Sequence, residues 1–269
     1  MSLKLTLKKK PTVPVEAESI CPDKMEGLGL KDIAALPVHH GNETTTVGDF
    51  FKVTGKSNGE IRLEGDTSRF KMVGAAMSKG RILIKGSIGQ HVGVAMSGGE
   101  IVVTKNADNW VGPEMSGGRI IVKGNAGHMV GCAYRGGQVG VTGGEIIVHG
   151  NAGNEIGNTM RDGLIAIGGN SGDFTGVGML AGTVIVLGEM GQRNGAAMKR
   201  GTIVSMEDAE MLPTFTYACS YRPNFLRLYL RHLRDLGLPI KDSWIGGSYH
   251  RWSGDSIELN RGEALIFDR

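Results

Sequence analysis

Three cysteines, seven histidines and one Gly-Lys-Ser triplet are the residues of this chain most able to start a reaction or hold a metal, and their spacing decides what each can do. Cys21, Cys132 and Cys219 lie far apart and form no C-x-x-C pair, so local ligands build neither a zinc nor an iron–sulfur site. The histidines, His39, His40, His91, His128, His149, His232 and His250, show no H-x-x-x-H or comparable ligand spacing. Gly55-Lys56-Ser57 ends like a phosphate-binding loop, but the earlier glycine that such a loop needs falls on Phe50. Glu207 and Asp208 are adjacent in a connecting segment, with no partner for acid–base work. The chain offers no catalytic constellation, and its expected catalytic and metal residues are none.

Bulk composition narrows the partners. With a net charge of +3 and no basic run interleaved with aromatics, a nucleic-acid surface is not expected. No stretch approaches the roughly 20 consecutive apolar residues of a membrane helix, and the N-terminus lacks an apolar signal core, so no membrane association and a cytoplasmic location are expected. Widely spaced cysteines suit a reducing compartment.

The unusual number is 44 glycines, of which only Gly27, Gly29, Gly41 and Gly48 fall in the first fifty positions. A pattern G-x-(I/V)-x-(I/V) recurs from Gly59, Gly80, Gly99, Gly118, Gly144, Gly163, Gly182 and Gly201, with steps of 21, 19, 19, 26, 19, 19 and 19 residues. The long step reads as a repeat that keeps register through Gly137 and carries an insertion at Val139 to Gly143. Each unit opens with a β-branched run such as Arg119 to Lys123 and turns at Gly and Asn, for example Gly124-Asn125-Ala126-Gly127. So short a unit cannot bury its own apolar face, so units must stack. The fold class expected is all-β, a right-handed parallel β-helix of glycine-rich coils over residues 51–206. An N-terminal arm and cap precede it at 1–50, and a C-terminal helix and tail follow at 207–269.

Stacking predicts columns. Ile61, Ile82, Ile101, Ile120, Ile146, Ile165, Val184 and Ile203 form one inward column, and Leu63, Ile84, Val103, Val122, Val148, Ile167 and Val186 the next. Met77, Met96, Met115, Tyr134, Met160, Met179 and Met198 form a third, better read as flexible core filling than as a soft-metal path. Glu60, Arg81, Glu100 and Arg119 alternate in sign beside them and fix the register. Between the inward positions, Leu83, Val102, Ile121, Ile147 and Ile185 must face outward. An apolar outer ladder needs a cover, either the chain's own ends or a partner, and these five are the candidate partner contacts. Asn224 to Leu236 carries Leu226, Tyr229, Leu230 and Leu233 on one helical face and Arg227, Arg231 and Arg234 on the other. The three arginines complete the candidate contact set, a solvated face on the bland reading or a dock for an acidic partner or cofactor arm.

Units such as Gly144 to Gly153 resemble the β-helical domain of the large subunit of glutamate synthase. The run Gly131-Cys132-Ala133-Tyr134-Arg135-Gly136-Gly137 and the entry Arg222-Pro223-Asn224-Phe225-Leu226 resemble the C subunit of formylmethanofuran dehydrogenase more closely. That resemblance implies a scaffold subunit of a one-carbon complex handling formyl groups on a methanofuran-type carrier. This chain would bind no cofactor, and the metals would sit on partner subunits. The implied partners are amidohydrolase-like, dehydrogenase-like and formyltransferase-like chains. Either a molybdenum or tungsten dehydrogenase or a bacterial formyltransferase/hydrolase complex fits, with a slight lean to the second. A glutamate synthase-type spacer and a free-standing solenoid enzyme are the alternatives.

Overall fold

The computed structural model describes residues 2–269. One strand from each repeat enters a 13-stranded sheet: Glu60–Glu64, Arg81–Lys85, Ser97–Val103, Gly117–Val122, Thr142–Val148, Asp162–Ile167, Thr183–Val186 and Thr202–Ser205. All pair in parallel, and the registers align Ile61, Ile82, Ile101, Ile120, Ile146, Ile165, Val184 and Ile203 in one column. The physical cause is the β-branched content of each run, which suits a pleated surface packed on both faces. The expected alternation of charge is also there, with Arg81 Nε 2.8 Å from Glu100 and Arg119 Nε 2.9 Å from Glu145.

A second wall is held by side chains bonding to the backbone of a neighbouring coil. Asn106, Asn125, Asn151 and Asn170 each offer Oδ1 to the backbone N–H of Asn125, Asn151, Asn170 and Glu189 at 2.8–3.0 Å. Single bridges link Thr67, Ile88, Ala107 and Ala126 in the same direction. The interior tolerates no larger residue at its closest approaches. Gly112 has φ +61°, and a Cβ there would lie 2.7 Å from Ile146 Cδ1.

The methionine column is buried at Met77, Met96, Met115, Met160, Met179 and Met198, but Tyr134 is not part of it. Thr142 N–H donates to the Met115 carbonyl just as Ser116 N–H donates to that of Met96, so Val141, fully buried, takes the column position. The insertion is therefore Tyr134 to Gly140 rather than Val139 to Gly143, and it lifts Tyr134 out of the core. Sequence spacing misplaced it because a bulky aromatic at the right offset looks like a core residue.

Both ends differ from a simple arm and tail. Leu3–Leu7 is not an edge strand; it lies between Glu60–Glu64, in parallel, and Phe51–Thr54, antiparallel. Its alternating Leu3 and Leu5 extend the two inward columns at Ile61 and Leu63. Short helices at Pro22–Met25, Leu30–Ala35 and Val47–Phe50 replace the extended arm. At the other end Gly262–Phe267 continues the parallel sheet beside Thr202–Ser205. Tyr249–Gly254 and Thr216–Tyr221 add two antiparallel strands that the repeat pattern did not anticipate.

Candidate functional site

A helix at Leu226–Asp235 lies across the outer ladder, with Leu226, Leu230 and Leu233 buried against Val102, Ile121, Ile147, Ala166, Ile185 and Val204. Trp244 and Tyr249 close the far side of this second core. Ile147 and Ile185 have no exposed surface, and Val102 and Ile121 only 9% and 7%. The expected partner contacts Val102, Ile121, Ile147 and Ile185 are thus corrected: the chain's own helix is their cover. Leu83 alone stays half-buried, at the margin beyond the helix.

Polar clamps hold the helix in place. His232 Nε2 lies 2.9 and 3.1 Å from the two carboxylate oxygens of Glu145, which also accepts from Arg119. Burial works to raise the Glu145 pKa, but His232 and Arg119 outweigh it and hold the carboxyl below its ordinary value. At the helix C-terminus, Lys123 Nζ sits 2.9 Å from His149 Nε2, whose pKa is lowered by burial and by the Lys123 charge.

The arginines divide. Arg234 turns back on the chain, donating to the Ile240 carbonyl and the Asp242 carboxylate at 2.9 and 2.8 Å. Arg227 and Arg231 are exposed, and neither makes an ion pair among the described residues. Beside them the helix presents Phe225 and Leu228, exposed by 39% and 72%. Phe225, Leu228, Tyr229 and His232 of the helix segment and Glu145, Asp162 and Leu164 of the sheet line an open groove of about 620 Å³. Leu228 escaped the sequence reading, although its position between two arginines on the outer side of the helix would have shown it. The outer side of the helix thus carries an exposed leucine and phenylalanine next to arginines without ion pairs.

A second cluster stands on a corner of the coils. Met72, His91, Trp110, Met129, Glu155, Phe174 and Arg193 occupy one column, and every one has φ between +56° and +63°. This left-handed backbone is unfavourable for residues with a Cβ by roughly 1–2 kcal/mol each. Each of the first six offsets part of that strain by donating its N–H to a carbonyl of the next coil at 2.8–3.1 Å. His91 stacks on Trp110 with centroids 5.1 Å apart, and Tyr134 reaches over from the insertion to place its hydroxyl 2.9 Å from His91 Nδ1. Burial, with the Lys71 charge, lowers the His91 pKa, and burial beside Glu114 pushes the Tyr134 phenol up to about 12.

On the C-terminal strands, Ser220 Oγ lies 2.6 Å from His250 Nδ1, and His250 Nε2 lies 3.5 Å from Asp268. Ser220 and Asp268 are exposed, and among the described residues none of the main pockets of the structure is lined by these three. Among the described residues there is no group of three or more metal-ligating side chains, and no helix is long and apolar enough to cross a membrane.

Comparison with known proteins places this architecture. The family model described as the GXGXG motif matches residues 52–217, the coils and their first connection. The chain belongs to the GXGXG motif family. Over part of its length it is similar to C subunits of formylmethanofuran dehydrogenases. It is 43% identical over 79 residues to the C subunit of the molybdenum-containing enzyme from Methanothermobacter marburgensis, covering 29% of this chain and 20% of the relative. Against the C subunit of the tungsten-containing enzyme from Methanothermobacter thermautotrophicus it is 42% identical over 92 residues, 32% of this chain and 34% of the relative. The matched segments thus span a fifth to a third of these relatives. Among solved structures, a chain of the formyltransferase/hydrolase complex of Methylorubrum extorquens, in complex with methylofuran, superposes with a TM-score of 0.92. It is 31% identical, with 99% of this chain and 100% of that chain covered.

Proposed function

We propose that this chain is the non-catalytic scaffold subunit of a one-carbon formyl-transfer assembly of the hydrolytic, bacterial kind. The observation that carries the reading is the end-to-end likeness to a chain of a formyltransferase/hydrolase complex, which includes the terminal helix and both added strands. The coils are inferred to wind as a right-handed parallel β-helix. One parallel strand per repeat and the asparagine column support winding, and right-handed crossovers between parallel strands are the strong rule. On this reading the helix holds the sheet face closed and offers Phe225, Leu228, Arg227 and Arg231 to a neighbouring subunit. Amidohydrolase-like and formyltransferase-like chains are the proposed neighbours, with the methanofuran-type carrier and the metals held by them and the assembly in the cytoplasm.

The test is gentle purification of the native protein, with mass spectrometry of its partners and metal analysis. Zinc with formyltransferase-like and amidohydrolase-like chains is the expected result. Molybdenum or tungsten with iron–sulfur partners would move the chain to the redox complex, and a solitary chain would end the scaffold reading.

A further inference from the structure

The two outer surfaces carry opposite chemistry. On the sheet side, Glu60, Glu64, Glu100, Glu145 and Glu263 are each ion-paired within the chain. Around the left-handed corner, Glu16, Glu18, Asp108, Glu114 and Glu155 are exposed or half-buried, and none makes an ion pair among the described residues. Glu16 and Asp108 lie within charge range of His91, and Glu18 and Glu114 within that of Tyr134. Glu155 and Tyr134 together line a concavity of about 230 Å³, the size of one side chain, with Met129, Asn158 and Thr159. The cations nearby are Arg135, on the rim, and Lys71, which lies across from Glu16 in the Val15–Glu16 and Phe70–Lys71 strand pair. Carboxylates outnumber them.

Rings supply the second half of the surface. His91 stacks on Trp110 at 22°, Tyr134 lies tilted against both at 39° and 31°, the three centroids are 5.1–6.4 Å apart, and the buried indole N–H of Trp110 has no partner among the described residues. Farther along the same column the chain fills this kind of position itself: the Arg193 guanidinium sits 5.5 Å above the Phe174 ring. No such cation from the described residues sits over Trp110. The Tyr134 phenol is pushed up and the His91 pKa down, so the ring cluster itself contributes no positive charge near neutral pH.

We propose that the corner around His91, Trp110 and Tyr134 is a second docking surface, and that its occupant is a basic, arginine- or lysine-bearing segment of a partner protein. The inference rests on the reading of the chain as an assembly subunit and adds where and by what chemistry a second partner attaches. Electropositive groups stack on ring faces, and carboxylates without an ion-pair partner around the rings select for them. With Arg227 and Arg231 on the terminal helix, the scaffold then offers a basic contact and an acidic one, which lets two different neighbours be told apart.

The experiment uses the native assembly, purified through a tag on this chain, comparing wild type with Glu114→Gln/Glu155→Gln and with Trp110→Ala. Glutamine keeps an oxygen for the Tyr134 N–H and the Asn158 amide, and circular dichroism checks that each variant folds. The expected result is that one specific subunit binds about tenfold more weakly to the double-glutamine chain, with a shallower dependence on salt, and that carbodiimide joins Glu114 or Glu155 to a lysine of that subunit. Unchanged affinity and salt dependence in the double-glutamine variant would overturn this inference and leave the scaffold reading standing. Weakening by Trp110→Ala alone would also overturn it, by pointing to an uncharged occupant. A solitary wild-type chain would overturn both.

Discussion

The sheet face under the terminal helix and the left-handed corner are built from the same repeat, yet they use side chains in opposite ways. On the face, Val102, Ile121, Ile147, Ala166 and Ile185 follow one another in register and disappear beneath Leu226, Leu230 and Leu233. On the corner, Met72, His91, Trp110, Met129, Glu155, Phe174 and Arg193 share a backbone position with positive φ and stay half-buried or exposed. The first column gains from removing apolar area from water; the second is held by hydrogen bonds between coils, with its side chains free to vary. Variation at a strained position with a fixed backbone is where a scaffold can acquire recognition without disturbing its core.

The sharpest way to break the comparison is a charge on the face. Ile147→Asp places a carboxylate where no solvent reaches, and its expected cost is about 3–5 kcal/mol in urea unfolding, with the terminal helix becoming sensitive to protease. A cost under about 1 kcal/mol would mean that the helix is not seated there. Next in size is a matched pair of truncations. Leu230→Ala should cost about 2–5 kcal/mol. Trp110→Gly should change stability by less than about 1 kcal/mol in either direction, because lost ring contacts are offset by release of the left-handed strain. Equal losses would show that the corner is core and not surface.

The smallest expected effect is on pH dependence. Burial lowers the His91 pKa relative to the unfolded chain, so the unfolded state takes up the proton first as pH falls. The stability this group contributes is complete above its ordinary value of about 6.5 and declines as pH drops below it. His91→Phe, a ring already accepted in this column at Phe174, should flatten that part of the Tm-against-pH curve. An unchanged curve would place the titration elsewhere, with His149 on the sheet face the next group to change, since its pKa is lowered too.

The coil columns and the charge alternation at Arg81, Glu100 and Arg119 were legible in the sequence because neighbouring coils repeat one spacing, and the terminal helix because Leu226, Leu230 and Leu233 recur at helical spacing. Two local facts were not. Tyr134 sat at a core offset, and only the hydrogen bond from Thr142 to Met115 shows Val141 in its place. The strand at Thr216–Tyr221, almost wholly exposed, carries no repeat signal because it pairs antiparallel outside the coil series.

Sequence by itself determined the stacking and its register, since β-branched residues and glycines at a fixed period satisfy each other only coil on coil. It also determined that an apolar ladder would face outward and need a cover. Which cover was used was decided by tertiary structure alone. Leu230 joins the buried cluster of Ile147 only after the chain has run the full length of the coils and folded back, and Glu145 to His232 is a contact across 87 positions. The corner was decided partly in the same way: His91 and Trp110 follow the spacing of the coils, but Tyr134 comes from the insertion, outside that spacing, and only folding brings its ring to theirs.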